Sequence, residues 1–193
     1  MTGTSSQNDR KTAQKAVHAR RTPPKARRSG KTTGETTDTT GANDRNSIRP
    51  RFWERFPLDR LKPAEWEALC DGCGKCCLNK LEDEDTGEVA FTRVACRLLD
   101  DATCRCTHYE IRHQFVPDCV TLSAETIAAN AYWMPETCAY RLLAEGKPLY
   151  PWHYLISGDR ESVHAAGASV QGITLSEFDV AEEDWEDHIL ATD

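Results

Sequence analysis

Leu69-Cys70-Asp71-Gly72-Cys73-Gly74-Lys75-Cys76-Cys77 places four thiols within eight residues. Thiolates are soft ligands, and crowding four of them into one loop is costly unless something holds them together, a metal above all. Gly72 and Gly74 let the backbone turn sharply between the thiols and aim its N–H groups at sulfur. Five more cysteines follow, Cys96, Cys104, Cys106, Cys119 and Cys138, so that all nine fall between residues 70 and 138. Such confinement marks one functional region.

The spacing carries chemical information. A C-x-x-C loop sets two thiolates on one tetrahedral ion. Extended to C-x-x-C-x-x-C, it is closer to the three-thiolate loops that wrap an iron–sulfur cluster, with a fourth Cys arriving from elsewhere. Cys77 follows Cys76 directly and is expected to point away from it, toward a second ion or as a spare thiol. Cys104-Arg105-Cys106 can present both thiols on one face of an extended segment, and His108 continues that alternation. His108 nevertheless reads better as a surface histidine. His113, His153, His164 and His188 have no metal-like spacing. Cys96 sits in a semi-apolar stretch and also fits a buried core cysteine.

Composition divides the chain. Residues 1–50 hold eleven Lys/Arg and four Asp/Glu, with no aromatic and no Cys, whereas the remainder carries 13 basic and 27 acidic side chains. A segment so poor in large apolar groups cannot offset its ordering entropy, so residues 1–48 are expected to be a disordered basic tail. Residues 49–193 form the Cys-rich domain. The tail lacks the apolar core of a secretory signal, and nothing reaches the length of a membrane span. Its basic, acid-poor composition also matches an organellar transit peptide or a polyanion-binding arm, but a solvated linker accounts for it more simply. The acidic domain argues against nucleic acid, for which the tail is the only candidate contact. Without an export signal the expected compartment is the reducing cytoplasm, where dense cysteines serve metals or catalysis rather than disulfides. Nine thiols would also leave one unpaired.

The pattern predicts a helix at residues 61–69 with Pro63 in its first turn, a hairpin-like excursion over 78–92, and a helical turn over 108–115. Helices follow at 123–133 and 136–145, the latter ended by Gly146. A strand is expected at 169–175, then an acidic helix at 176–190 burying Phe178, Trp185 and Ile189. Cys138 is expected in a first helical turn, where the helix dipole favours thiolate. The class is α+β, small, loop-rich and metal-centred. Nothing matches a hydrolytic triad, a phosphate loop or a dinucleotide fingerprint, so no catalytic residue is assigned.

In order along the chain, LCDGCGKCCLNKLEDEDTGE, FTRVACRLLD, TCRCTHYEIR, PDC, TCAYRLLAEGKPLYPWH and EDWEDHIL resemble the bacterial CxxCxxCC zinc- or iron-chelating proteins, in the YcgN branch of the YkgJ-like group. The resemblance runs from about Phe52 to Leu190 and excludes the basic arm. It implies a cytoplasmic bacterial protein that binds metal, with no assigned reaction. Three roles follow from the thiols: a structural zinc or iron in an interaction module with a protein partner, an iron–sulfur redox centre, or thiol-based sensing or oxidoreduction. The candidate ligands are Cys70, Cys73, Cys76 and Cys77, followed by Cys96, Cys104, Cys106, Cys119 and Cys138.

Overall fold

The computed structural model describes residues 14–17 and 47–191. Short helices and short strands alternate, giving an α+β fold in which no α-helix is longer than six residues among those described. The expected tail lies outside the described residues except for residues 47–48 and β1 (Gln14–Val17), which adds an edge strand antiparallel to β2 (Leu78–Asp83). The hairpin expected over 78–92 is present, with β2 antiparallel to β3 (Val89–Ala95). Asp83 turns the chain between them, its carboxylate accepting from the backbone N–H groups of Asp85 and Thr86. A register shift between Leu78 and Lys80 bends β2 just after the cysteine loop.

The N-terminal elements are α1 (Phe52–Arg55) and α2 (Pro63–Ala68). Pro63 opens α2 at a position where its missing N–H is no loss. Glu65 reaches back to accept the N–H of Lys62 at 2.9 Å and is fully buried against the Arg49 guanidinium, at 2.6 Å. A ribbon of β4 (Leu99–Asp100) and β5 (Arg105–Cys106) precedes α3 (Arg112–Phe115). α4 (Ile127–Asn130) starts later than the sequence suggests, because the chain from Ser123 to Thr126 closes as a turn with the Thr126 hydroxyl bonded to the Ser123 N–H.

α5 spans Ala139–Ala144. It too begins late, since Cys138 is extended and acts as its N-cap residue. Gly146 ends it at φ +69°, with the Gly146 and Lys147 N–H groups returning to Leu143 and Leu142. α6 (Tyr154–Ser157) and α7 (Ser162–Ala165) follow. The strand expected at 169–175 shrinks to β6 (Leu175–Ser176), parallel to β3. The terminal helix is instead a 3-10 segment over Glu182–His188. Trp185 is its buried anchor, but Phe178 is 72% exposed and Ile189 39% exposed, contrary to expectation. The six residues from Glu182 to Asp187 include five acids, whose repulsion along a helix face opposes a regular α-helix.

Apolar burial is distributed rather than unified. The largest cluster joins Phe52, Leu69, Ile127, Trp133, Met134, Tyr140, Leu142 and Leu149. A second contains Leu78, Ala95, Cys104 and Val170, and a third Leu81, Val94 and Trp185. The cysteine loop runs between the first and second.

Candidate metal centre

The loop begins where α2 ends, and that end is secured by side chains from far along the chain. Tyr140 donates its hydroxyl to the Trp66 carbonyl at 2.8 Å, Tyr154 to that of Ala68, and His153 Nε2 lies 3.1 Å from that of Leu69. These carbonyls are the ones a helix leaves unpaired at its C-terminus. His153 Nδ1 accepts from the Leu155 N–H at 3.1 Å, so Nε2 carries the proton and donates. Burial pushes the His153 pKa down, keeping the ring neutral. Cys70 is thereby fixed at the rim.

Asp71 folds inward. Its Oδ1 accepts the Cys73 N–H at 2.9 Å, while Oδ2 is buried without a hydrogen-bond partner. Gly72 adopts φ +83° with the Arg105 guanidinium lying over it, 3.4 Å from where a Cβ would stand. Gly74 adopts φ +76°, and a Cβ there would fall 2.8 Å from Val170 Cγ2 and 3.2 Å from Cys104 Cβ. Both glycines are therefore required by conformation, and Gly74 by space as well. A single 3-10 turn over Lys75–Cys77 then leads into β2.

The sequence expectation that Cys77 turns from Cys76 does not hold: their Sγ atoms are 3.9 Å apart. The 3-10 turn breaks the alternation of an extended chain. Below them lies Lys80, which the sequence reading missed. It is buried, its ammonium donating to the Leu78 carbonyl at 2.6 Å and the Cys76 carbonyl at 3.2 Å. The rings of Phe91 and Trp133 lie 5.0 and 5.2 Å from the ammonium. A Lys at an inward position of a strand after a thiol loop is the signal that could have revealed it. Burial lowers the Lys80 pKa to about 8 despite the neighbouring sulfurs, which favour the charge.

The thiols occupy one electrostatic neighbourhood, with one exception. Cys70 and Cys73 are each influenced by Cys76 and by Asp71, and Cys138 joins them from the head of α5. Cys96 is influenced by Cys119 and Cys106, and Cys77 by Cys76 and Cys96. The Cys96 N–H bonds to the Cys77 carbonyl at 2.8 Å, which joins the two hairpin ends. Cys104 stands apart. It adopts φ +53°, so the C-x-C alternation expected with Cys106 is broken, and its side chain packs with Val170 under Gly74. His108 is exposed, bonded to Thr107 Oγ1 at 3.0 Å and packed on Phe115. All nine cysteines are free of disulfides.

Solvent reaches Cys70 and Cys76 on one side, but protein hems them in on the others. Burial pushes Cys70 to about 12, Cys138 to about 12 and Cys73 upward as well. For Cys138 this reverses the thiolate preference expected from the helix dipole: α5 is short and the surrounding apolar side chains outweigh its partial charge. Cys76 alone is lowered, to about 7, by its hydrogen bond with Cys77 and the Lys80 charge.

Soft sulfur donors beside a buried carboxylate oxygen without a partner suit a thiophilic cation, and Lys80 offsets part of the resulting negative charge. Among the described residues no three His, Cys, Asp or Glu side chains yet close tightly enough to hold an ion as they stand.

Comparison with known proteins places the chain among its relatives. The family model described as "CxxCxxCC: Putative zinc- or iron-chelating domain" matches residues 69–139. A UPF0260 protein of Rhodobacter capsulatus is 68% identical over 145 residues, covering 75% of this chain and 97% of the relative. One from Cellvibrio japonicus is 56% identical over 139 residues, 72% of this chain and 94% of the relative. UPF0260 protein YcgN of Salmonella paratyphi A is 55% identical over 139 residues, covering 72% and 92%. No solved structure matches the chain. No helix among the described residues is long and apolar enough to cross a membrane. With more than half of the residues identical along nearly the full length of these relatives, the chain belongs to the UPF0260 family of CxxCxxCC proteins.

Proposed function

We propose that the domain binds zinc or iron through its clustered cysteines and that the metal is part of the framework of the fold. One observation carries this reading: thiols from five separate stretches, the 70–77 loop, Cys96, Cys106, Cys119 and Cys138, share a neighbourhood between two small apolar clusters. Without a bound cation, that junction contains buried thiols and an unpartnered carboxylate oxygen, and little apolar surface. A cation there joins helices, hairpin and ribbon, and closed thiolate sites of this kind contribute folding energy directly. The reducing cytoplasm is the compartment that suits such thiols, with a protein partner for the metal-organised surface.

Iron–sulfur redox chemistry is the second reading, favoured by the C-x-x-C-x-x-C loop and by solvent access at Cys70 and Cys76. Thiol-based sensing is the third reading; burial raises the Cys138 thiol, so Cys76, exposed and lowered to about 7, is the thiol that would carry it.

Elemental analysis with acid-labile sulfide determination on anaerobically prepared protein tests the proposal, repeated on Cys73→Ser. Near-stoichiometric zinc or iron in the parent and a clear loss in the variant are expected. Stoichiometric sulfide with iron selects the second reading, and well-folded parent protein free of both metals overturns metal binding altogether.

A further inference from the structure

The outermost strand of the main sheet comes from the basic arm. In the order β1-β2-β3-β6, β2 lies between its hairpin partner β3 and the four-residue β1. Leu78, Asn79, Lys80 and Leu81 are all buried, so β2 is covered on both faces. The main-chain groups that it turns toward β1 follow from those it turns the other way. The Asp83 N–H bonds the Glu88 carbonyl at 2.9 Å, and the Asn79 carbonyl accepts the Thr92 hydroxyl at 2.8 Å, so the odd-numbered residues of β2 face the β3 side. By alternation, the N–H and C=O groups of Lys80 and Glu82 face β1, where the register sets Val17 and Lys15 opposite them. Left unpaired, these groups form an edge that accepts another extended chain.

We infer that the outer edge of β2 is a docking site for an extended basic segment, and that residues 14–17 of this chain are its resident occupant, held through the main chain. Connectivity does not impose the contact. Residues 18–46 separate β1 from Ser47, and these 29 residues can span up to about 100 Å. The contact therefore rests on the strand pairing itself. Sequence and charge single out this segment of the arm. Val17 and Ile48 are the only Val, Leu, Ile or aromatic residues among the first 50, which favours a strand at Val17. Residues 10–21 hold five Lys/Arg and no Asp/Glu, whereas β2 runs into Glu82-Asp83-Glu84-Asp85. The antiparallel register places Lys15 opposite Glu82 and Gln14 opposite Asp83, so the basic segment lies along the acidic end of the strand. The inference does not depend on the metal binding proposed above, although the edge begins at Lys80, shortly after the cysteine loop.

The test uses the full chain and hydrogen exchange resolved by residue with NMR. Lys15→Pro removes an N–H that faces β2, whereas Ala16→Pro removes one that faces away, where an edge strand tolerates proline. In Lys15→Pro the Lys80 and Glu82 amides should exchange at least about tenfold faster, with Leu81 and Asp83, which face the β3 side, unchanged. Ala16→Pro should leave all four close to the parent. A synthetic peptide of residues 10–21 is then titrated into parent and Lys15→Pro. It should restore protection at Glu82 in the variant and bind the parent at least about tenfold more weakly, because a tethered arm competes at high effective concentration. Equal exchange in parent and Lys15→Pro, equal effects of the two prolines, or a peptide that does not bind the opened edge would overturn the docking site. Protection at Glu82 that falls as the parent is diluted would assign the strand to a second copy of the chain and overturn the resident occupant.

Discussion

At the scale of single residues, the loop is shaped by the absence of side chains as much as by the thiols. Gly74 combines a left-handed backbone with the close approach of Val170 and Cys104. Gly87 shares the backbone condition, φ +72°, but has nothing within 4 Å. Gly74→Ala should therefore cost about 2–4 kcal/mol in urea unfolding, against about 1 kcal/mol for Gly87→Ala. Equal costs would show that space around Gly74 is not limiting. Glu65 makes a second residue-level case. The Arg49 side chain holds its carboxyl at about 2, below the ordinary 4.5. A depressed carboxyl contributes stability above its unfolded value and loses it as pH falls through its folded value. Relative to Glu65→Gln, the parent should be more stable by about 2 kcal/mol at neutral pH, the difference closing between pH 4.5 and about 2. Thermal melts of both proteins across that range would show it, and a constant gap would refute the assignment. These features also mark what a sequence can reveal. The glycines between thiols announce a tight loop, whereas the inward turn of Cys104 depends on a left-handed residue that no local pattern specifies, and the raised Cys138 pKa depends on neighbours remote in sequence.

Among elements, the hairpin was the most legible, because a polar turn between two stretches of strand formers is a local signal. The later elements were less so. Residues 123–133, 136–145 and 176–190 have helical composition, yet each yields only a short helix or 3-10 turn. Such elements are set by their tertiary anchors, here Ile127, Tyr140 and Trp185, rather than by propensity. The same dependence appears where the hairpin meets the loop. Lys80 supports the 3-10 turn from below through the Cys76 and Leu78 carbonyls while its ammonium lies near the rings of Phe91 and Trp133. Lys80→Met is close to lysine in length but leaves those carbonyls without their donor. A loss of about 1–3 kcal/mol is expected, together with reduced metal content measured on the same preparation. An unaffected metal content would confine Lys80 to a packing role.

At the scale of the whole molecule, apolar burial is uneven. The cluster of Phe52, Leu69, Trp133, Met134, Tyr140 and Leu142 is large enough to hold α1, α2, α4 and α5 together. The stretch from Cys96 to Cys119 has little comparable support. Leu98 and Cys104 are its buried apolar side chains, while Tyr109, Ile111 and Phe115 are exposed. Three of the candidate ligands, Cys96, Cys106 and Cys119, lie in this same stretch. If a cation secures it, removing the cation should act locally before it acts globally, because the free energy of opening follows buried contacts. Hydrogen exchange followed by mass spectrometry, before and after chelation under reducing conditions, provides the measurement. Amides of β4, β5 and α3 should lose protection by at least about tenfold, equivalent to about 1.4 kcal/mol, while those of α5 retain most of theirs. Protection that is unchanged in the 96–119 stretch would mean that its hydrogen bonds hold without metal, and the framework role would fail. Loss of protection throughout would mean that the helical cluster also depends on the cation, making the thiol junction the nucleus of the entire fold.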